Sequence, residues 1–228
     1  MEFEVKYILP NFKRDLVIDF IASQCVPDPD FSAARISSIY YDSREHSSLN
    51  EKINSDFHKT KYRLRWYSNY INKNLSKHAF MEKKSRIGGL RNKKRISVNI
   101  SPEILSNISL NDFRLLEIPN ELLKQSTRVN WHLFPSIQID YSRFRFIEQQ
   151  SGARISIDFD IFSNKFNSIL LPHASPSKLD NAVLEIKGAS NELPKVLKPL
   201  ILMGVRKASF SKYLSSFAKS HHVAFDPR

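Results

Sequence analysis

The chain has 228 residues, 41% of them hydrophobic and 11% aromatic, which is enough to bury a full core as one domain and excludes a disordered chain. Its single cysteine, Cys25, excludes an internal disulfide framework, and no apolar run approaches the roughly 20 residues that cross a bilayer. The formal charge of +12 suits nucleic acid, an anionic membrane surface or a phosphorylated small molecule, and charge alone does not choose among them.

The opening, Glu2 to Leu9, predicts a strand and carries no signal peptide, so a cytoplasmic location is the expectation. After Pro10, the spacing of Leu16, Phe20 and Ile21 predicts a helix over 11–24 with Asn11 as its cap. Ile36 to Asp42 reads as a strand, Ser47 to Lys52 as a short helix or turn, and Lys61 to Tyr67 and Ala79 to Ile87 as strands. Gly88-Gly89 then gives the clearest hairpin signal, leading into Arg91 to Ile100. Residues 102–126 predict irregular short helices packed through Leu105, Ile108, Leu115, Leu116, Leu122 and Leu123. Three strands follow, at Ile137 to Ile147, Arg154 to Phe162 and Ala182 to Lys187. A helix capped by Ser190, with Val196, Leu197, Leu200, Ile201 and Met203 as its apolar stripe, ends at Gly204. The last segment, Ser211 to Lys219, is helical. One domain over 1–219 and a tail over 220–228 account for the chain.

Several strands carry charge at every second position: Glu2, Glu4 and Lys6; Lys61, Arg63 and Arg65; Glu82, Lys84 and Arg86; Arg143 and Arg145; Arg154, Asp158 and Asp160; Glu185 and Lys187. Successive strand side chains point to opposite faces, so one surface collects these charges while the other stays apolar. Any one strand of this kind is an ordinary solvated face. Taken together they are unusual in their arginine content, since the guanidinium fork matches phosphate oxygens, and in their recurring acids, which would hold a divalent cation. Two like charges ~6 Å apart repel by roughly 3 kcal/mol at an effective dielectric of ~20, so a curled sheet with these charges inside makes sense only around an anion or counter-ions. The ligand expected from the residues is polyanionic and metal-bound. The seven histidines show no zinc spacing.

The residues also resemble a known family. Glu2-Phe3-Glu4-Val5-Lys6-Tyr7 resembles the opening strand of the triphosphate tunnel metalloenzymes. Ser38-Ile39-Tyr40-Tyr41-Asp42-Ser43, Lys61-Tyr62-Arg63-Leu64-Arg65-Trp66-Tyr67, Met81-Glu82-Lys83-Lys84, Lys93-Lys94-Arg95, Tyr141-Ser142-Arg143, Arg154-Ile155-Ser156-Ile157-Asp158, Leu184-Glu185-Ile186-Lys187 and Ser211-Lys212-Tyr213 resemble the VTC-domain branch, the polyphosphate polymerases. The resemblance implies a mainly β (α+β) fold, an antiparallel eight-stranded β-barrel tunnel with flanking helices that takes a triphosphate inside. It implies ATP as substrate, polyphosphate or triphosphate as partner, and Mn²⁺ or Mg²⁺ as cofactor, with DNA not expected.

The activity implied is transfer of the γ-phosphate of ATP onto a polyphosphate chain. By the same resemblance Lys6, Arg63, Arg65, Lys84, Arg143, Glu185 and Lys212 form the catalytic set. Lys61, Lys93, Arg95, Arg154 and Lys187 join its cations on phosphate. Glu185 is the principal metal ligand, with Glu2, Glu4 and Asp158 as further candidates and Glu82 as a weaker one. Some relatives carry a basic residue where Ser209 stands, and Arg206 and Lys207 lie near enough to replace it. Eukaryotic relatives have membrane segments that this sequence lacks, which leaves room for a membrane partner. Two alternatives stand beside the polymerase: a triphosphatase of the same fold, and a non-catalytic polyanion-binding module.

Overall fold

The computed structural model describes residues 2–123 and 132–223; residues 124–126 of the expected helical stretch and 224–228 of the expected tail lie outside them. Eight long antiparallel strands make the body: β1 Phe3–Pro10, β2 Ala33–Asp42, β3 His58–Ser68, β4 Ala79–Ile87, β5 Leu90–Val98, β6 Phe134–Ile147, β7 Arg154–Phe166 and β8 Asn181–Gly188. Their order across the sheet is β1, β8, β7, β6, β2, β3, β4, β5, and short two-residue strands extend it at the margins.

The protein is thus mainly β, with helices α1 Arg14–Gln24, α2 Ser47–Ile53, α3 Pro102–Asn107, α4 Arg114–Leu123 and α5 Lys212–Ser220 packed around the sheet. The expected barrel is corrected in one respect: the ladder is open, because β5 and β1 are not paired by backbone hydrogen bonds. Side chains bridge that seam, where Arg91 Nη1 donates to Glu4 Oε2 at 3.2 Å and Arg91 Nη2 to the Glu4 carbonyl at 3.4 Å. Among the described residues no helix is long and apolar enough to cross a membrane.

Alternation assigns the two faces. Val5, Tyr7 and Leu9 of β1, Ile155 and Ile157 of β7, and Leu184 and Ile186 of β8 pack outward against α1 and the 3-10 turn Lys195–Ile201. Tyr62, Leu64 and Trp66 of β3 and Met81 of β4 pack outward against α3 and α4. A third cluster brings Ile8, Tyr40, Ile137, Ile139, Ile161 and Val183 together with Phe210, Tyr213 and Leu214, so the leading turn of α5 lies across one end of the inner face. Burying this much apolar surface on both sides of the sheet, at about 25 cal/mol per Å², supplies the stability that the charged inner face does not.

Three local expectations change. Asn11 does not cap a helix, since residues 11–13 form a 3-10 turn and the Asn11 amide instead donates to Asp160 Oδ1 at 3.5 Å. The buried stripe of α1 is Val17 and Ile21, and Leu16 faces solvent. The stretch before Gly204 is a 3-10 turn that buries Leu197 and Leu200 and leaves Ile201 exposed. Asp160 has φ 49°, and this left-handed residue breaks the alternation of β7: Asp158 points to the inner face, while Asp160 turns outward to Arg14 and Lys178.

A cation-lined candidate site

Cross-strand register builds the site. Lys61 of β3 stands opposite Lys84 of β4, which stands opposite Lys93 of β5. One step along, Arg63 stands opposite Glu82, and Glu82 opposite Arg95. On the other half of the sheet Lys6 pairs with Glu185 and Glu4 with Lys187, while Arg143 of β6 faces Asp158 of β7. Directly opposed side chains lie about 5 Å apart at Cβ, and like charges there are destabilising. The row Lys61, Lys84, Lys93 therefore concentrates positive charge, and among the described residues its one ion pair with an acid is that of Lys93 with Glu82 of the next row.

Three acidic foci hold the other cations. Glu82 is completely buried and accepts from Arg63 Nε at 2.7 Å, with Lys93 Nζ at 2.6 Å and Arg95 Nε at 3.6 Å. Burial opposes its ionisation, yet Arg63, Arg65 and Lys93 hold its carboxyl well below the usual range. Asp158, also fully buried, accepts from Arg143 Nε at 2.5 Å and Nη2 at 2.7 Å, and from Lys212 Nζ. Against the cost of burial these two cations lower it to about 2. The third focus is a mixed cluster in which Glu185 lies 3.9 Å from Lys6 Nζ and 3.1 Å from Lys187 Nζ, and Glu4 lies 3.8 and 3.9 Å from the same ammonium groups.

Polar and aromatic groups fix the remaining members. Arg65 is buried, donating from Nε to Ser38 Oγ at 3.0 Å and from Nη2 to Tyr141 OH at 2.9 Å. Ser211 caps α5 through the Leu214 amide, which delivers Lys212 and Tyr213 to the inner face. Tyr213 stacks on Tyr40 at 5.1 Å and donates to Asp42 Oδ2 at 2.9 Å. Asp42 in turn accepts from the Ser48 and Leu49 amides that open α2. Burial would raise the Tyr40 hydroxyl, yet Arg63, Arg65 and Lys212 hold it below its usual value. Lys61 donates to Ser211 Oγ at 2.8 Å. Burial, then Lys6 and Lys52, push Lys61 down to about 7; burial and Arg63 do the same to Lys84, to about 7, against Glu185 and Glu4.

The fold thus gathers Lys6, Lys61, Arg63, Arg65, Lys84, Lys93, Arg95, Arg143, Lys187 and Lys212 on one face, with Glu4 and Glu185 among them. It does not bring in Arg154, which is exposed and paired with Glu2. Arg145 donates to the Phe31 carbonyl at 2.9 Å and so lies to the side. Of the two adjacent tyrosines, Tyr40 faces inward and Tyr41 turns to the Leu115 carbonyl of α4. Sequence reasoning missed Glu82 as the hub of three cations, and Tyr141 and Ser38 as holders of Arg65. The register that sets Glu82 between Arg63 and Arg95 was the signal that could have found it.

Among the described residues no three acidic, histidine or cysteine side chains gather in a metal-binding group. Glu4 and Glu185 share the ammonium groups of Lys6 and Lys187, and Mg²⁺ commonly uses one or two carboxylates completed by substrate phosphates. This donor set fits an ion that arrives with a phosphorylated ligand. Asp158 and Glu82 are held more closely, by Arg143 at 2.5 Å and by Arg63 and Lys93 at 2.6 Å, than Glu4 and Glu185, whose cations lie at 3.1–3.9 Å.

Fold and site define a class: an antiparallel β protein with helices on its outside and a cation-lined inner face. The model of the VTC domain matches residues 2–221, nearly the whole chain, and the chain belongs to that family. Proteins of this family are generally enzymes of phosphate transfer or triphosphate cleavage. No curated protein matches the sequence. Among solved structures, the PH1819 protein of Pyrococcus horikoshii OT3 is similar with 11% identity, a TM-score of 0.45, and coverage of 95% of this chain and 91% of that one. A chain of the Mediator head module of Schizosaccharomyces pombe is similar with 9% identity, a TM-score of 0.44, and coverage of 90% and 98%.

Proposed function

We propose that this protein is an ATP-dependent polyphosphate polymerase, which moves the γ-phosphate of ATP onto a growing polyphosphate chain and releases ADP. The observation that carries the reading is the lysine row of β3, β4 and β5. Lys61 and Lys84 stand opposite each other in the register, depressed to about 7 and without an ion-pair partner among the described residues, while Lys93 beside them is held by Glu82 at 2.6 Å; the first two are costly in an empty protein and are stabilised by a polyanion laid across them.

Arg63, Arg65 and Arg143 are held in place by Glu82, Ser38, Tyr141 and Asp158, so their forks are oriented before a ligand arrives. Phosphoryl transfer spreads negative charge over the transferred group and both bridging oxygens, and fixed cations in a partly dry channel stabilise that charge without reorganising. Arg143 and Lys212 converge on Asp158 from two elements and would clamp one phosphate between them. Lys6 and Lys187 flank Glu185 and would neutralise its neighbouring phosphates. A Mg²⁺ or Mn²⁺ ion on Glu185 and Glu4, completed by phosphate oxygens, would add Lewis-acid neutralisation. The curled sheet, bridged at its seam by Arg91 and Glu4, would serve as the tunnel.

Pairing of Glu185 with Lys187 at 3.1 Å, where a hydrolase is expected to place a second acid, favours transfer to phosphate over transfer to water. Incubation with ATP and Mn²⁺, with products resolved by gel and ADP and free phosphate assayed, tests the reading. A polyphosphate ladder with ADP is expected. Free phosphate without polymer would replace it with triphosphatase activity. Glu185→Gln should abolish turnover while leaving triphosphate binding intact or stronger, and a variant that turns over normally would refute the role given to Glu185.

A further inference from the structure

Beyond the phosphate-binding cations, the inner face of β3, β4 and β5 carries aromatic side chains. Tyr67 follows Arg65 on the same face of β3, and Phe80 of β4 stands directly opposite Arg65. The Arg95 guanidinium of β5 lies over the Phe80 ring, 3.6 Å from Cζ to the centroid, with the Tyr67 ring at 5.9 Å. These three side chains form one group. Burial would raise the Tyr67 hydroxyl, yet Arg65, Arg95 and Arg63 hold it below its usual value. The group also has a defined place along the strands. Lys61 Nζ donates to Ser211 Oγ at 2.8 Å, which puts α5 at the Lys61 end of β3, and Tyr67 lies about 20 Å further along at 3.3 Å per residue. Arg63 and Arg65 stand between, so phosphates on those arginines have α5 at one end and the aromatic group at the other.

Arg95 is placed differently from the other arginines. Its Nε lies 3.6 Å from Glu82 Oε1 and one face of its guanidinium rests on Phe80, while the side chain as a whole stays 37% exposed. Tyr67 beside it is half-buried. Phosphate takes the donor edge of a guanidinium, whereas a planar ring takes its face, and Arg planes and aromatic rings are the surfaces on which proteins stack bases. A ligand made of phosphate alone has nothing to lay on Tyr67 and Phe80. A nucleoside attached to that phosphate does.

We propose that Tyr67, Arg95 and Phe80 form a base-stacking subsite, which takes the base of a nucleoside triphosphate whose phosphates lie on Arg63, Arg65 and the lysine row. The inference rests on the reading of the inner face as a nucleoside triphosphate site, and it assigns the nucleoside to the end away from α5. Stacking of this kind accepts any base with a π-face, so ATP and GTP should bind alike.

The test is calorimetric titration of the full chain with ATP and with inorganic triphosphate, in buffer free of divalent metal so that neither ligand turns over. Tyr67→Ala should weaken ATP binding by at least roughly fivefold and leave inorganic triphosphate within about twofold, while Tyr67→Phe, which keeps the ring, should bind both as the wild type does. Arg95→Lys keeps the charge and loses the plane, so it should lower the affinity for ATP more than that for triphosphate. Arg95 lies on an exposed strand, and this variant decides the matter if Tyr67→Ala does not fold. Equal losses for the two ligands, or an ATP affinity that neither variant lowers, would overturn the proposal. A polyphosphate ladder from ATP with such an unchanged ratio would remove the subsite and leave the polymerase standing. Base-dependent binding without polymer would do the reverse, and a wild-type protein that binds neither ligand would remove both.

Discussion

Replacing Asp158 by Asn isolates what the inner-face acids do. The carboxylate is fully buried and is shared by Arg143, at 2.5 and 2.7 Å, and Lys212. Removing its charge leaves two buried cations facing each other, and breaking a buried pair in this way costs roughly 3–5 kcal/mol. A second route gives a similar figure. The carboxyl titrates at about 2 in the folded protein against an ordinary value of 3.8, and at 1.36 kcal/mol per unit this is about 2 kcal/mol of ionic stabilisation. Taking about 3 kcal/mol, with roughly 2–4 °C lost per kcal/mol in a chain of this size, Asp158→Asn should melt about 6–12 °C lower at pH 7.

The sign of the pH effect is fixed by the depressed value. Asp158 contributes its full stabilisation above the ordinary carboxylate pKa, and the contribution disappears as pH falls through about 2. The melting difference between wild type and variant should therefore shrink between pH 5 and pH 2. Adding inorganic triphosphate should narrow it at pH 7, because the anion supplies the charge that the variant lacks. Differential scanning calorimetry with and without triphosphate measures both effects. A variant that melts with the wild type, or a gap that triphosphate does not narrow, would refute the reading of Arg143 and Lys212 as a phosphate clamp held open by Asp158.

Three further outcomes follow from the same geometry. Lys61 and Lys84 titrate at about 7, so a bound polyanion should draw protons onto them; triphosphate affinity should fall between pH 6.5 and 8.5, and calorimetry in buffers of different ionisation enthalpy should show proton uptake that Lys61→Met with Lys84→Met removes. The same depression makes folding stability without ligand rise with pH from about 7 towards the ordinary lysine value, and chemical denaturation across that range measures it. Tyr213→Phe deletes the hydroxyl that donates to Asp42 and meets Ser136, and should cost about 1–3 kcal/mol in urea denaturation with little change in triphosphate affinity.

Much of the architecture was present in local patterning. A period of two with charge on one face marked most of the long strands, and Gly88-Gly89 placed the β4–β5 turn at residues where Gly88 adopts φ 55°. Ser211 was recognisable as the start of the last helix. These features depend on neighbours within a few residues, and the backbone enforces them wherever the chain goes. Helical periodicity misled where tertiary packing chose another stripe, as in α1, where Val17 and not Leu16 meets the sheet.

The sequence alone determined which residues could share a face and what kind of ligand such a face would take, because alternation and side-chain chemistry are properties of short segments. Only the tertiary structure decided which charges became partners. Glu82 serves Arg63, Lys93 and Arg95 through pairings of β4 with two neighbouring strands, and Asp158 meets Lys212 from a helix 54 residues away. The left-handed backbone at Asp160 turned that side chain out to Arg14 and Lys178, and the open edge between β1 and β5 was settled by the curl of the whole sheet. Ion pairs of this kind depend on register and on curvature summed over many strands, and no local window of residues holds that information.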